Sequence, residues 1–274
     1  MSCDIQGFQR GIQLERLNAL WFGERLGYLE QLSIISAQVQ GHPYTLYSYT
    51  PELLQGVPPG VEVRDAAEVM SDPRRVRYFD GKFKALGSDF FRYEIMAKSL
   101  GYWVDLDLIF IRPLELMGDY IFGWEGPRSI NGAVLKLPAG SAMLEELRNI
   151  PERNWCPPYF GPRSKLNYYL QRLKGPVELE DLPWGSAGPG MIAHLAKKHG
   201  LLGLTQPVEV FYPLPYTEAR KLYGPAEAIE QLIKPNTLAI HMWHSSLGEL
   251  ATKPPATGSY IDKLCRRYSV PLLP

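Results

Sequence analysis

The residues best suited to chemistry in this chain are two aspartates, Asp105 and Asp107, in the otherwise apolar run WVDLDLIFIRP. Because side chains alternate between the two faces of a strand, we predict that both carboxylates point the same way. Two like charges at the edge of an apolar sheet are costly unless a cation or ligand compensates them. Divalent metals are the commonest such cations, and oxygen ligands favour Mn²⁺ or Mg²⁺. The alternative is an acidic end of a half-exposed strand, since this three-residue pattern recurs by chance.

Two histidines near the carboxyl end of the chain are further candidates for metal binding. His241 and His244 lie in the segment IHMWHSS, at the end of an apolar run. A histidine on an apolar strand could complete a metal shell with distant carboxylates, and imidazole with carboxylates suits Mn²⁺. A structural histidine held by a hydrogen bond is the alternative interpretation.

Other polar residues have weaker patterns. Asp89 and Arg92 are three apart and share a helix face, although a surface ion pair worth less than about 1 kcal/mol has the same spacing. Asn131 precedes a glycine, as turn residues often do. Gly188 and Pro189 could begin a helix whose backbone N–H groups face an anion.

The chain lacks a P-loop and a convincing dinucleotide fingerprint, which disfavours an ATPase or a dehydrogenase.

Strand-like and helix-like patterns alternate through the first 110 residues. The predicted elements are a strand over 17–23, a helix over 28–40, a strand over 44–49, a loop with a short strand over 57–65, a helix over 89–100 capped by Ser88 or Asp89, a strand from 104, a strand after Asn131, a loop over 151–162, a helix over 189–199, a strand over 238–243 and a proline-rich, then briefly helical tail from 253. This alternation predicts an α/β fold with a mostly parallel sheet covered on both faces. Ligands of such sheets bind beyond the carboxyl ends of the strands. The position of Asp105 and Asp107 in their apolar run is consistent with an interrupted strand that turns at this crevice.

Composition narrows the class of protein. The 274 residues include 29 basic and 29 acidic side chains, and this balance disfavours a general nucleic-acid binder. No N-terminal apolar stretch approaches the roughly 20 residues of a membrane span, and no signal-peptide pattern opens the chain. Three widely spaced cysteines suggest neither a disulfide framework nor a zinc site. We therefore expect a cytoplasmic protein with a single domain over 1–274.

Taken in order, these segments resemble the DXD-containing retaining glycosyltransferases, a family that includes fungal mannosyltransferases, lactosylceramide galactosyltransferases and bacterial capsule or lipopolysaccharide sugar transferases. The resemblance spans about residues 17–247 and is most specific in its centre. The matching residues are Leu20-Trp21-Phe22-Gly23, Ser88, Asp89, Arg92 and Tyr93, Gly101, Asp105 and Asp107, Asn131, Gly188-Pro189, and His241 with Trp243. The departures from the family pattern are Leu100, Trp103, Leu247 and Tyr49.

The resemblance implies a GT-A-like, Rossmann-like single domain, with a nucleotide-binding part over about 1–115 and an acceptor-side part with the C-terminal tail over about 116–274. It implies transfer of a hexose, with retention of configuration, from a nucleotide-diphosphate sugar to a glycan or glycolipid acceptor. UDP-hexose is expected as the donor rather than GDP-hexose, and Mn²⁺ or Mg²⁺ as the cofactor. A polysaccharide, capsule or lipopolysaccharide pathway is expected, with peripheral contact at the inner face of the membrane.

The resemblance also implies roles for individual residues. Asp107 and His241 would ligate the metal, and Asp105 would hold the metal, the ribose or both, so that the two aspartates form the catalytic pair. The residues implied in donor binding are Trp21, Phe22, Tyr49, Asp89, Arg92, Asn131, Gly188 and Trp243. Glu125 and the loop over 151–165 are possible acceptor-side contributors, and His244 has no assigned role.

Three other functions share these features. A sugar-phosphate nucleotidyltransferase also uses a metal on such a sheet, but the glycine-rich loop that it requires near the N-terminus is not found. An inactive sugar-nucleotide or glycan-binding module would keep the fold without turnover. A hydrolase of the donor is the third alternative.

Overall fold

The computed structural model describes residues 14–81, 83–127 and 129–272. Its strands are β1 (Leu17–Leu20), β2 (Tyr44–Ser48), β3 (Glu62–Asp65), β4 (Tyr102–Val104), β5 (Leu108–Phe110), β6 (Ile121–Gly126), β7 (Ser129–Lys136) and β8 (Ala239–His241). Its α-helices are α1 (Tyr28–Val39), α2 (Pro73–Val76), α3 (Lys84–Ala97), α4 (Ala142–Arg148), α5 (Pro162–Arg172), α6 (Pro189–Lys198), α7 (Val208–Phe211), α8 (Glu227–Glu230), α9 (His244–Leu247) and α10 (Tyr260–Arg267). Short 3₁₀ segments lie at Pro51–Leu53, Ala66–Glu68, Arg77–Asp80, Leu179–Asp181, Leu202–Leu204, Tyr216–Tyr223 and Gly248–Thr252.

Six strands form the central sheet in the order β3-β2-β1-β4-β7-β6. The first four are parallel to one another, whereas β7 pairs antiparallel with both β4 and β6. The predicted α/β class with a mostly parallel sheet is therefore confirmed. Since β6 and β7 follow residue 115 and join the same sheet as β1 to β4, the sheet spans the predicted division of the chain; the single-domain organisation stays a prediction.

Helices cover both faces of this sheet. Alternate residues of β1 belong to two different apolar clusters, with Leu17 and Ala19 in one and Leu20 in the other. The first cluster includes Leu32 of α1, and the second includes Phe91 of α3. Because side chains of a strand alternate between its faces, the two clusters lie on opposite sides of the sheet. Burial of these apolar surfaces is the main term that stabilises the fold.

The strand predicted from residue 104 is interrupted, as the position of the aspartates indicated, and its two parts belong to different sheets. The chain leaves the central sheet after Val104, turns through Asp105 to Asp107, and then forms β5 in a separate two-stranded sheet with β8. The register of that small sheet places Leu108 opposite His241. The two aspartates thus lie in a turn between two sheets, so strand alternation does not explain their common direction.

Two further differences concern helices. The predicted helix over 89–100 begins earlier, at Lys84, so Asp89 is a buried mid-helix residue and not a cap. Helices α4 and α5 were not predicted, because the segment around them is rich in proline and its apolar spacing is short. The predicted helices over 28–40 and 189–199 are confirmed within a residue at each end.

The turn between α3 and β4 requires a glycine. Gly101 has φ +110°, in the region that favours glycine, and a Cβ there would lie 2.4 Å from the carbonyl oxygen of Arg16. The same turn is held by Asn18, whose side-chain amide donates to the carbonyls of Leu100 and Tyr102 at 2.9 and 3.0 Å. This close approach pairs β4 with β1 and so places Asp105 at the carboxyl edge of the sheet.

Within the described residues, no helix combines the length and the apolar character that crossing a membrane requires.

Candidate functional site

A cavity of about 920 Å³ lies where strands β1 and β4 end. Trp21 and Phe22 follow β1 and line one part of its wall, while Asp105 and Asp107 follow β4. His241, from the end of β8, lines it as well. This is the position in which α/β sheets bind ligands, because loops at the carboxyl ends of parallel strands diverge there.

Asp105, Asp107 and His241 converge in this cavity. One ligand atom of each residue lies within 4.8 Å of the others, so one small cation could contact all three. The imidazole is buried, with 5% of its residue surface exposed, whereas the carboxylates are partly open to the cavity. The sequence separates Asp107 from His241 by 134 positions, and the β5–β8 register brings them together.

Asp107 is held in place by two hydrogen bonds. His241 Nε2 lies 2.9 Å from Asp107 Oδ1, and the backbone N–H of His244 donates to Oδ2 at 2.9 Å. Burial alone would raise the pKa of the Asp107 carboxyl, but the adjoining His241 holds this pKa below its usual value. Burial would likewise lower the pKa of His241, and Asp107 instead holds it above its ordinary value. The two side chains therefore favour opposite charges.

The donor set fits a divalent cation. Two carboxylates and an imidazole are the mixture of oxygen and nitrogen ligands that Mn²⁺ accepts, and Mg²⁺ is compatible with the carboxylates. His241 Nδ1 is buried and has no hydrogen-bond partner among the described residues. An unpaired buried polar atom is costly, so a ligand that contacts Nδ1 itself would relieve the cost, whereas Nε2 is the nitrogen that faces Asp107.

A buried ion-pair group lies beside the aspartates. Arg92 Nη1 is 3.4 Å from Asp89 Oδ1, and Arg92 Nη2 is 3.3 Å from Asp105 Oδ1. The Trp103 indole N–H also donates to Asp105 Oδ1, at 2.7 Å. The predicted face shared by Asp89 and Arg92 on α3 is therefore directed into the cavity, where the surface-pair alternative does not apply. Arg92 orients Asp105 and partly compensates two carboxylates at once.

Two glycines leave room for this group. A Cβ on Gly188 would lie 2.5 Å from both carboxylate oxygens of Asp89, and a Cβ on Gly132 would lie 2.4 Å from Arg92 Nη1. Gly188 does not line the cavity itself, so its contribution is to let α6 begin against Asp89.

Asp89 gives a specific expectation for the effect of pH on stability. Burial is the largest cause that raises its pKa, to about 6, against the opposing effect of Arg92. Because the folded pKa exceeds the unfolded one, the folded state binds more protons between about pH 4 and 6, and stability falls as pH rises through this window. We expect Asp89→Asn to remove this decline, which amounts to about 2–3 kcal/mol. Urea unfolding of both proteins at a series of pH values measures it, and parallel profiles would contradict it.

The aromatic wall is formed by Trp21 and Phe22 without Tyr49. The Phe22 ring centroid is 4.3 Å from that of Phe79, and Tyr49 lies 5.3 Å from the same Phe79 ring. The Tyr49 hydroxyl donates to the carbonyl of Met70 at 2.8 Å, and Tyr49 does not line the cavity. We therefore leave Tyr49 out of the proposed nucleotide pocket. Trp21 Nε1 is buried without a hydrogen-bond partner in the described part of the chain.

Asn131 and Glu125 form a second polar wall. The Asn131 amide donates to Glu125 Oε2 at 2.7 Å and accepts from the Ala133 backbone N–H at 2.7 Å. The Ser129 hydroxyl bonds to the other Glu125 oxygen. These hydrogen bonds fix the orientation of the Asn131 amide on strand β7, and Glu125 lines the cavity beside it.

Trp243 supports His241. Their ring centroids lie 4.0 Å apart, and the Trp243 indole N–H donates to the carbonyl of Leu214 at 2.7 Å. Trp243 has φ +55°, a left-handed conformation that is uncommon for a bulky residue and that recurs at functional sites. This backbone bend turns the chain from β8 into α9 and presents the His244 N–H to Asp107.

Several cavity residues were missed by the sequence analysis. Glu30, on α1, is buried and lies 3.7 Å from His244 Nδ1, and burial is the largest cause that raises its pKa. Lys84, Trp184 and Tyr216 also line the cavity. None of these residues forms a short motif with Asp105 or Asp107, although a glutamate among the apolar residues of α1 was a visible irregularity.

Comparison with known proteins shows a limited likeness. No family model matches the chain, and no curated protein matches it. Among the solved structures that match, one is the PaToxG glycosyltransferase, with a TM-score of 0.47 and 13% sequence identity, over 93% of this chain and 84% of that one. At this identity and TM-score the likeness assigns no function. The chemistry of the side chains in the cavity is therefore the basis for a functional proposal.

Proposed function

We propose that the chain is a metal-dependent glycosyltransferase that moves a hexose from a nucleotide-diphosphate sugar to a glycan or glycolipid acceptor. The observation that carries the proposal is the convergence of Asp105, Asp107 and His241 in one cavity at the carboxyl ends of the strands. UDP-hexose is the proposed donor, and Mn²⁺ or Mg²⁺ the proposed metal. The resemblance of the sequence to the DXD-containing retaining family supports retention of configuration.

The proposed donor lies across the cavity. Trp21 and Phe22 would pack against the base and ribose, since aromatic rings suit flat ligands. Asp107 and His241 would hold the metal, with Asp105 ligating the metal or accepting from the ribose. A bound metal would neutralise the diphosphate leaving group as the glycosidic bond breaks. Asp89 would accept hydrogen bonds from hydroxyls of the donor sugar.

The remaining residues orient these groups. Arg92 and Trp103 hold the Asp105 carboxylate in one direction through contacts to its Oδ1 atom. Asn131 and Glu125 would contact the sugar or the acceptor from the opposite wall. In the proposed reaction the bond from C1 to the diphosphate oxygen breaks, and C1 bonds to the acceptor hydroxyl on the same face. The acceptor proton passes to the departing diphosphate.

The chain is proposed to act in the cytoplasm, on acceptors of capsule or lipopolysaccharide type. Its acceptor side would include Glu125 and the segment over 151–165, where Tyr159 donates to the carbonyl of Ser186 at 2.8 Å beside α6.

A thermal-shift titration tests the proposed site. UDP and GDP are each added with Mn²⁺ and with chelator, and native-state binding raises the melting temperature by mass action. We expect a shift with UDP that needs Mn²⁺ and exceeds the shift with GDP. A shift that is indifferent to metal would contradict the role of the Asp105–Asp107–His241 group.

Product analysis then separates the alternatives. A transferase releases UDP from a UDP-hexose in a metal-dependent way and passes the sugar to an acceptor, whereas a donor hydrolase passes it only to water. A binding module shows the thermal shift without releasing UDP. A nucleotidyltransferase forms the nucleotide sugar from a nucleoside triphosphate and a sugar phosphate, and that outcome would replace the proposal.

A further inference from the structure

Helix α5 carries an apolar stripe that faces away from the protein. Its members lie three, four and seven residues after the first and have exposed fractions of 51–85%; they are Leu166, Tyr169, Leu170 and the C-cap residue Leu173, whose backbone is still helical. At about 100° per residue, these four positions occupy one arc of about 100° on the helix. Tyr168, the buried residue of α5, lies on the opposite side and anchors the helix to the rest of the chain.

Basic residues border the stripe on both sides. At the same angular spacing, Arg163 lies about 70° to one side of its centre, and Lys165 and Arg172 lie about 100° to the other. Lys174 follows directly after the end of the helix. No acidic residue occurs between positions 154 and 177, although the whole chain has a net charge of zero. Within the described residues, no carboxylate forms an ion pair with any of these four.

The exposed stripe needs a partner on energetic grounds. A helix of 11 residues is marginal in water by itself, and helices in proteins are stabilised mainly by burying an apolar face. Here that face is exposed, and a single buried tyrosine packs inwards. The leucines therefore suit a surface that the described chain does not supply.

We propose that α5 docks on an anionic phospholipid surface, with its apolar stripe in the boundary between headgroups and acyl chains. An interfacial helix of this kind has an apolar face flanked by Lys and Arg, whose long stems allow the charges to reach the headgroups. Charge complementarity favours this occupant over a second copy, because a two-fold dimer through the stripe would bring two sets of four basic residues together. The proposal does not depend on the transferase function.

Vesicle co-sedimentation of the full chain tests the proposal. The probes are phosphatidylcholine vesicles with and without phosphatidylglycerol, each at low and at high salt. We expect binding to the anionic vesicles that salt weakens. The double variant Arg163→Gln, Arg172→Gln should lower the partition coefficient about 25-fold, since each basic residue near the surface contributes about fivefold. The variant Leu166→Ser, Leu170→Ser should lower it at least about tenfold.

A matched control uses exposed leucines elsewhere. Leu53 and Leu204 are 47% and 48% exposed, and the variant Leu53→Ser, Leu204→Ser should bind anionic vesicles as the wild type does. Circular dichroism checks that the variants fold, which is expected because all the substituted side chains are exposed.

Five outcomes would overturn the proposal. Three are equal binding to both kinds of vesicle, equal loss in the control variant, and salt-sensitive binding that the Leu166→Ser, Leu170→Ser variant does not change. The fourth is a concentration-dependent dimer, detected by light scattering, that Leu170→Ser dissociates; this result would make a second copy the occupant. The fifth is binding to polyglutamate without binding to vesicles, which would point instead to an acidic protein.

Discussion

The variant Asp107→Asn should lower metal-dependent release of UDP from a UDP-hexose by at least about 10²–10³-fold, because removing one preorganised electrostatic contact to a leaving group has effects of this size. Asn keeps the shape and one acceptor oxygen, so the hydrogen bond from the His244 N–H can persist. The charge that would bind the cation is lost. Released UDP is measured at saturating Mn²⁺, with the donor in excess.

Asp119→Asn is the matched control for this experiment. Asp119 is exposed, it does not line the cavity, and the substitution makes the same chemical change. We expect full activity for the control. Circular dichroism checks that Asp107→Asn stays folded, because this substitution also breaks the ion pair with His241. Retained activity in Asp107→Asn would remove Asp107 from the proposed metal site, and so would an equal loss in both variants.

The variant Arg92→Met should destabilise the protein by about 3–5 kcal/mol, because it leaves the buried Asp89 carboxylate and the partly buried Asp105 carboxylate without their cation. Arg92 lies 3.4 Å from Asp89 and 3.3 Å from Asp105, and the side chains of Arg92 and Asp89 are only 8% and 9% exposed. Methionine fills much of the same volume, so the loss reports the charge more than a cavity. Urea unfolding near neutral pH measures it.

Two comparisons separate the buried group from ordinary ion pairs. Arg148→Met breaks the pair between Arg148 and Glu94, whose side chains are 42% and 24% exposed, and should cost less than about 1 kcal/mol. In an Asp89→Asn background, Arg92→Met should cost less than in the wild type, since the buried one of its two carboxylate partners has become neutral. Additive losses in this cycle would mean that Arg92 stabilises the fold without interacting with Asp89.

Part of the predicted metal site could be inferred from the residues adjacent to it in the sequence. The apolar residues around Asp105 and Asp107, with Gly101 before them, predicted correctly that the pair lies at the carboxyl edge of a sheet. The predicted reason was wrong, because the strand ends at Val104 and the two aspartates lie in a turn. Strand alternation could not reveal this break, since apolar residues continue on both sides of it.

Residues distant in sequence could be predicted only in part. The resemblance to a glycosyltransferase family pointed to His241, whereas its 2.9 Å contact with Asp107 depends on the pairing of β5 with β8. Glu30 was missed because α1 carries it to the cavity from a segment without a motif. The resemblance implied Tyr49 in the pocket, whereas its ring packs against Phe79 and its hydroxyl donates to the carbonyl of Met70.

The sequence by itself determined the alternation of strands and helices, the apolar positions that form two clusters, and the residue types capable of binding a cation. These are local properties, which depend on the period of apolar residues and on glycine and proline at the ends of elements. The tertiary structure decided which carboxylate contacts which basic side chain, how deeply Asp89 is buried, and that the leucines of α5 face outwards. Such facts follow from register and packing between distant segments, and spacing along the chain does not encode them.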